Sequence, residues 1–242
     1  MSTLVTGAGG GIGAEIVRQL VDSGETVVAQ DVNPRSLAQV QGPAVLTTAG
    51  DLLERGYLDG LGRLAVGQNV DRVIATHGID GSAALEDATP DFVRKVMEVN
   101  AESITLLLAV TLEGLKRSGG TFVVVASQAG LHAEANNVAY CASKFAIVGW
   151  VMTLAPSLER EGVSLRAFCP GCTETPLLFA AQERFAAAAG LSAVAFIEAR
   201  KRGIPIQRFA QVRETAAGAI YLAARGGRRP RILAASGGEV LH

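Results

Sequence analysis

The sequence contains few of the features that mark secreted, membrane or nucleic-acid-binding proteins. Its 3 cysteines, at positions 141, 169 and 172, are too few and too unevenly spaced for a disulfide framework, which favours a reducing compartment. The formal charge of -1 provides no long-range attraction for nucleic acid or an anionic membrane. No apolar run reaches the ~18 residues of a membrane span, and no basic segment with a cleavable apolar run opens the chain. We therefore expect a cytoplasmic protein without nucleic-acid or membrane partners.

The sequence is rich in apolar residues. Hydrophobic residues make up 49% of the 242 positions and charged residues 19%, which is enough for a large core and argues against disorder. No linker rich in proline or serine and no block of charge divides the chain. We expect a single domain over residues 1–242 rather than two small ones.

A glycine-rich turn follows the first β-prone run. Residues 3–6 favour a strand, G-A-G-G-G-I-G follows at 7–13, and apolar residues then recur with helical spacing over 12–23. Gly7, Gly11 and Gly13 allow the backbone to turn tightly against a pyrophosphate, which the helix N-terminus attracts. The alternative is an ordinary glycine-rich turn.

An acidic residue ends the second predicted strand, which covers residues 26–30. Asp31 stands 20 residues after Gly11, the distance expected for the carboxylate that binds the adenosine ribose of a dinucleotide. A carboxylate there repels the 2'-phosphate of NADP, so the sequence favours NAD. The nearby Arg35 weakens that preference and keeps NADP as the alternative.

Strands and helices alternate over the rest of the chain. Further strands are predicted at 44–48, 70–75, 121–126, 163–169 and 231–235, and a long helix is predicted from Pro90, with Thr89 as its N-cap, to Lys116. This alternation predicts a three-layer α-β-α doubly wound parallel sheet, the Rossmann fold. Such sheets bind ligands at the carboxyl ends of their strands, and the residues found just after strands are Gly7, Asp31, Asp51, Gly78, Ser127, Pro170 and Gly171.

An alanine-rich segment near the C-terminus is predicted to form a helical lid over the site at about 177–204. It is amphipathic and lies between Pro176 and Pro205, which predicts two short helices. Phe179, Phe185 and Phe196 form its apolar face or belong to the core.

Tyr140 and Lys144 stand four residues apart in a run compatible with a helix, so they share one face. An ammonium group beside a phenol favours the phenolate, which makes the tyrosine an acid or base that works nearer neutral pH. The spacing alone also suits an exposed tyrosine and lysine.

Together these motifs resemble the short-chain dehydrogenase/reductase family, in its small single-domain form, over nearly the whole chain. They occur in the family's order: T-G-A-G-G-G-I-G at 6–13, Asp31, Asp51-Leu52, Asn100, Ser127, Y-C-A-S-K at 140–144 and P-G-C-T-E-T at 170–175.

The resemblance implies interconversion of a secondary alcohol and a ketone by hydride transfer to or from nicotinamide. Tyr140 would be the acid/base, Lys144 would lower its pKa and hold the ribose, Ser127 would orient the substrate, and Asn100 would hold a water in a proton relay. The implied cofactor residues are Gly7, Gly11, Ile12, Gly13, Asp31, Asp51, Leu52, Gly78, Tyr140, Lys144, Pro170, Gly171, Thr173 and Thr175. A homo-oligomer, in this family usually a tetramer joined partly through the long helix ending near Lys116 and the helix of Tyr140, is also implied.

The chain departs from the family pattern in two places. Ala75-Thr76-His77 replaces the usual Asn-Asn-Ala, and we expect Thr76 to replace one lost hydrogen bond. Near the C-terminus A-A-S-G-G at 234–238 stands in for the more usual V-D-G-G and follows a basic loop at 225–231. We interpret that loop as a solvated surface loop; the alternative is contact with an anionic ligand or partner. The altered motif at 75–78 leaves open a third function, a cofactor-binding regulator without catalytic activity.

The substrate cannot be identified from the sequence. Candidate substrate-facing residues are Gln128, His132, Asn137, Cys172 and Leu177. The pair Cys169 and Cys172 has the C-x-x-C spacing of redox and metal sites, but it coincides with the turn after the sixth predicted strand, and we predict no metal.

Overall fold

The protein forms a seven-stranded, entirely parallel sheet with helices on both faces, as the sequence predicts. The computed structural model describes residues 1–226 and 228–240, and its strand order is β3-β2-β1-β4-β5-β6-β7. The strands are β1 (Ser2–Thr6), β2 (Thr26–Asp31), β3 (Val45–Ala49), β4 (Val70–Ala75), β5 (Thr121–Val125), β6 (Ser164–Pro170) and β7 (Ile232–Ala235). The helices are α1 (Gly11–Asp22), α2 (Arg55–Gly67), α3 (Pro90–Met97), α4 (Ser103–Ser118), α5 (Val138–Arg160), α6 (Pro176–Ala188), α7 (Ala193–Gly203) and α8 (Val212–Ala223).

The central strands are buried on both faces, which explains the apolar run of β5. Every residue of β1, β4 and β5 is buried. One core cluster, which includes Leu58, Leu107 and Ile147, joins the sheet to α2, α4 and α5. The second, which includes Ile16 and Leu222, joins its other face to α1 and α8. The sheet therefore holds its carboxyl ends, and the loops after them, on a rigid support.

Two helical features differ from the sequence prediction. The long helix after Thr89 is interrupted by a π-helical turn, Glu98–Glu102, that separates α3 from α4. Helix α2 was not predicted, because its glycines lower the helical propensity; packing of Leu58 and Leu61 into the core offsets that cost. The predicted N-cap is confirmed, since the Thr89 hydroxyl accepts from the Phe92 amide.

Helix α5 is the one helix among the described residues that is long and apolar enough to cross a membrane. Nine of its residues are buried, among them Lys144, Ile147 and Val151. It packs on β6 and contributes to the core, so its hydropathy is explained by burial against the sheet.

The basic loop at 225–231 is tied to the rest of the molecule on both sides of Gly227, which lies outside the described residues. Arg225 donates to Asp71 at 2.8 Å. Arg231 forms an ion pair with Glu159 at 2.6 Å. Two of its arginines are thus engaged in internal ion pairs.

Candidate active site

The glycine turn between β1 and α1 has no side chains that would keep a ligand away from its backbone. Gly7 has a φ of 66°, which a residue with a side chain rarely adopts. A Cβ at Gly13 would lie 2.1 Å from the Gly7 carbonyl oxygen. Helix α1 begins after Gly10 without a side-chain cap, so its first-turn N–H groups stay free for an anion.

A cavity of about 600 Å³ opens in front of this turn; we call it the glycine-loop cavity. Of the predicted cofactor residues, the structure places nine along it: Gly7, Gly11, Ile12, Gly13, Asp31, Asp51, Leu52, Gly78 and Thr175. It also adds residues that sequence reasoning missed, among them Gly9, Gln30, Val32, Lys95, Val99 and Ser103. Lys95 and Val99 lie in the interrupted helix, where no sequence motif marked them.

Asp31 is fixed at the edge of the glycine-loop cavity by two backbone groups. Its Oδ2 accepts from the Gly9 amide and its Oδ1 from the Asn33 amide, each at 2.9 Å. These bonds orient the carboxylate between the glycine turn and the end of β2. The contact with a ribose stays a prediction.

The altered motif after β4 braces the sheet through new side chains. The Thr76 hydroxyl donates to the Thr6 carbonyl oxygen at 2.8 Å, as predicted. His77 bonds through Nδ1 to the Thr6 hydroxyl at 2.7 Å and through Nε2 to the Ser103 hydroxyl at 2.8 Å. Because Ser103 donates its own proton to the Val99 carbonyl oxygen, we assign the His77 proton to Nε2. Burial, followed by the Lys144 charge, lowers the pKa of His77 to about 3.

Asn100 is fully buried in the π turn and lines neither of the two cavities described here. Its Oδ1 accepts from the Ile79 amide at 2.8 Å, while its Nδ2 donates to the Ile79 carbonyl oxygen at 2.9 Å. Nδ2 also donates to the Ser143 hydroxyl at 3.2 Å. The side chain therefore ties the loop after β4 to α5, and the relay role stays a prediction.

Ser127, Tyr140 and Lys144 are brought together at the carboxyl ends of the strands. Ser127 follows β5, and the other two lie in the first turns of α5. The Lys144 Nζ lies 5.4 Å from the centroid of the Tyr140 ring and donates to the Val125 carbonyl oxygen at 3.3 Å. Burial lowers the pKa of Lys144 to about 8.

The Tyr140 phenol has a raised pKa in this structure, contrary to the direction expected from the sequence. Burial disfavours the phenolate, and a hydrogen bond from Ser127 only partly offsets the effect of burial on the pKa. The Lys144 ammonium group lies over the ring and donates to the Val125 carbonyl oxygen, so it is not placed as a direct hydrogen-bond donor to the phenol. Tyr140 therefore holds its proton at neutral pH.

A second cavity, of about 520 Å³, opens beside Tyr140; we call it the tyrosine cavity. All five predicted substrate residues line it: Gln128, His132, Asn137, Cys172 and Leu177. So do Ser127, Tyr140, Lys144 and the predicted cofactor residues Pro170, Gly171 and Thr173. Phe185 and Phe196 of the predicted lid line it as well, with ring centroids 6.4 Å apart, whereas Phe179 is exposed. Glu134, Arg200 and Glu239 were missed; they come from three distant parts of the sequence.

The thiols of the C-x-x-C pair do not have the properties of reactive cysteines. Both Cys169 and Cys172 are free. Burial raises the pKa of each thiol to about 11, whereas redox-active cysteines have lowered pKa values. The spacing reflects the turn after β6.

Comparison with known proteins places this site in a family. Residues 2–184 match the short chain dehydrogenase family. The chain belongs to the short-chain dehydrogenase family. Its members are oxidoreductases that bind nicotinamide cofactors, as the resemblance implied.

Individual short-chain dehydrogenases similar to this chain differ in substrate. A D-beta-hydroxybutyrate dehydrogenase of Cupriavidus necator is 29% identical over 95% of this chain and 93% of its own length. An L-fucose dehydrogenase of Mus musculus is 30% identical over 91% of this chain and 81% of its own. The solved structure of an actinorhodin polyketide ketoreductase with NADPH has 26% identity and a TM-score of 0.92, and the match covers 98% of this chain and 96% of that one.

Proposed function

We propose that this protein is an NAD-dependent oxidoreductase that interconverts a secondary alcohol and a ketone. The observation that carries the proposal is the meeting of the two cavities beside the catalytic group. Ile12, Thr76, Gly78, Thr175 and Leu177 line both cavities, and Tyr140 with Ser127 and Lys144 lines the tyrosine cavity. A dinucleotide in the glycine-loop cavity would thus end next to a substrate beside Tyr140.

The glycine-loop cavity fits a dinucleotide. A Cβ at Gly13 would fill the turn, the N-terminus of α1 lacks a side-chain cap, and Asp31 stands at the distal edge. When bound, nicotinamide supplies a hydride acceptor or donor. Gly78 keeps this region open, because a Cβ there would lie 3.2 Å from Asn100 Oδ1.

Residues of the protein donate and accept the proton that accompanies hydride transfer. Protonated Tyr140 donates to the oxygen of a ketone, and in the reverse direction its phenolate accepts the proton of an alcohol. The ammonium group of Lys144 stabilises that phenolate. The Ser127 hydroxyl orients the same substrate oxygen.

The test of catalysis is Tyr140→Phe assayed on a panel of secondary alcohols and ketones. We expect turnover to fall by at least about 100-fold, the contribution of positioned acid–base catalysis, while the fluorescence titration of NADH binding is unchanged. The matched control is Tyr221→Phe, which removes an exposed hydroxyl in α8. Equal turnover by Tyr140→Phe and the wild-type protein would exclude Tyr140 as the acid/base. Binding of NADH without turnover of any compound by the wild-type protein would favour the regulator.

The alternative function is an NADP-dependent ketoreductase of the same fold. It is supported by the exposed Arg35 near Asp31 and by the similarity to the ketoreductase with NADPH. Titrating the protein with NADH and NADPH discriminates the two. We expect tighter binding of NADH, and Asp31→Ser should reduce that preference because it removes the charge that repels a 2'-phosphate. Tighter binding of NADPH by the wild-type protein would favour the alternative.

We also propose that the protein associates with copies of itself through α5. Val138, Phe145 and Met152 are 48%, 44% and 60% exposed, and the small residues Ala142 and Gly149 lie between them on the exposed side of the helix. Three or four residues separate successive members, so they form one stripe. A stripe of apolar and small residues permits close packing of the same helix from a second copy.

A further inference from the structure

One wall of the tyrosine cavity carries a hydrogen-bonded group of polar side chains. We call it the polar wall: Gln128, Glu134, Asn137, Arg200 and Glu239. Gln128 Nε2 donates to Glu239 at 2.9 Å and to Glu134 at 3.3 Å. Asn137 Nδ2 donates to Glu134 at 2.9 Å, and Arg200 forms an ion pair with Glu239.

Glu239 reaches this wall because the chain turns back near its C-terminus. Gly237 and Gly238 have φ values of 69° and 91°, and the Ser236 hydroxyl both accepts from and donates to the backbone of Val240. This turn brings the carboxylate of Glu239 to the cavity. Its partner Arg200 comes from the lid helix α7.

The polar wall offers more acceptors than donors. The amide nitrogens of Gln128 and Asn137 are used by carboxylates, which fixes the assignment of their oxygens. Those two oxygens, and Oε1 of the cavity-lining Gln182, have no hydrogen-bond partner among the described residues. All three side chains are at least nine-tenths buried. These three oxygens are enclosed, so the acceptor that the wall presents to a ligand is the carboxylate of Glu134, which is half-buried. That carboxylate favours a ligand with hydrogen-bond donors.

The charge of the polar wall disfavours an anionic ligand. Two carboxylates, Glu134 and Glu239, face one guanidinium group, and the ion pair with Arg200 engages Glu239. Among the described residues, the Glu134 carboxylate accepts hydrogen bonds from two neutral amides alone. A substrate carboxylate would meet this excess negative charge, whereas a neutral hydroxyl donates to Glu134 in a charge-assisted hydrogen bond.

Part of the cavity lining is apolar. Phe185, Phe196 and Leu178 come from the two lid helices and line the same cavity as Glu134. A site that combines apolar side chains with a few acceptors suits a molecule that carries both C–H groups and hydroxyls.

We propose that the substrate is a neutral polyhydroxylated compound, a sugar or polyol, that donates a hydroxyl remote from the reacting carbon to Glu134. The inference rests on the proposed function for the reacting carbon itself. A site built to bind a hydroxyl rejects analogues that lack it, because its acceptor is then left unpaired.

The experiment compares compounds with one ring and different numbers of hydroxyls: cyclohexanol, a cyclohexanediol and inositol, with beta-hydroxybutyrate as the anionic compound. Binding is measured by saturation-transfer NMR and turnover by NADH formation. We expect inositol and the diol to exceed cyclohexanol, and beta-hydroxybutyrate to be the weakest. In Glu134→Gln the preference for inositol over cyclohexanol should fall by about 10- to 100-fold, the contribution of one hydrogen bond to a charged group.

Two further variants keep this test interpretable. Glu134→Asp retains the charge with a shorter reach and should give an intermediate preference. Glu183→Gln removes an equal charge from an exposed position of α6 outside the cavity, and should leave the preference unchanged. The inference is wrong if cyclohexanol binds as well as inositol, if beta-hydroxybutyrate is preferred, or if Glu134→Gln leaves the preference intact.

Failure of the inference and failure of the proposed function are distinguishable. If the polyols bind in the expected order but none is oxidised with either cofactor, the proposed function is wrong and the inference stands. If simple alcohols are oxidised and the polyols have no advantage in binding or turnover, the inference is wrong and the proposed function stands.

Discussion

At the scale of single residues, Lys144 connects burial to the pH dependence of the reaction. Burial lowers its pKa to about 8, so its charge is present below that pH and is lost above it. In ketone reduction Tyr140 becomes a phenolate, which that charge stabilises. We therefore expect kcat/KM for reduction to be constant below about pH 8 and to fall about tenfold per pH unit above it.

The measurement is a pH profile of ketone reduction from pH 6 to 10 at saturating cofactor, in wild-type protein and in Lys144→Arg. Arginine stays charged throughout that range, so the residual activity of the variant should lack the fall that begins near pH 8. A wild-type profile that is constant up to the ordinary lysine pKa of about 10.4 would contradict the role of burial.

Some residue contacts follow from the sequence and others do not. The positions of Ser127, Tyr140 and Lys144 were predictable because each is fixed by a local feature, a strand end or a helical spacing. The acceptor excess of the polar wall was not, because Glu134, Arg200 and Glu239 are far apart in sequence and meet only after α7 and the C-terminal turn have packed. The bonds of His77 to Thr6 and Ser103 likewise join residues that are distant in sequence.

At the scale of elements, the junction of β1 and α1 shows how little room the glycine turn has. A Cβ at Gly13 would lie 2.1 Å from the Gly7 carbonyl oxygen, so Gly13→Ala must displace the turn. We expect this substitution to weaken NADH binding by at least about tenfold, because the first-turn N–H groups would move away from the pyrophosphate. The measurement is fluorescence titration with NADH, together with urea unfolding.

Gly67→Ala is the matched control for Gly13→Ala. Gly67 ends α2, and a Cβ there would meet nothing within 4 Å, so NADH binding should be unchanged. A normal affinity of Gly13→Ala for NADH would show that the turn does not hold the pyrophosphate.

The limits of sequence prediction at this scale also have physical causes. The strands buried on both faces, among them the apolar β5, were located within one or two residues. The π turn at Glu98–Glu102 has no such signal, since it replaces one helical hydrogen-bond pattern with another inside an uninterrupted helical sequence. Hydrogen bonds from Asn100 to Ile79 and Ser143 accompany this turn. These long-range partners cannot be predicted from the identity of Asn100 alone.

At the scale of the whole molecule, the parallel sheet brings together side chains that are distant in sequence. Its strand order places β4 between β1 and β5, so the turn after β1, the Thr76–Gly78 segment and Ser127 meet at one rim. Helix α5 contributes Tyr140 and Lys144 from its inner side. The same helix presents its outer side to solvent, and the site and the proposed contact between copies therefore share one element.

That shared helix gives a prediction about assembly. We expect the wild-type protein to sediment as an oligomer, a tetramer from the family expectation, at micromolar concentration. Met152→Glu should shift it to smaller species, because a carboxylate buried in an apolar contact without a partner is strongly unfavourable. Val194→Glu is the control: it places the same charge at a residue that is 74% exposed on α7 and should leave the sedimentation unchanged. A wild-type monomer at this concentration, or an unchanged oligomer in Met152→Glu, would exclude α5 as the contact.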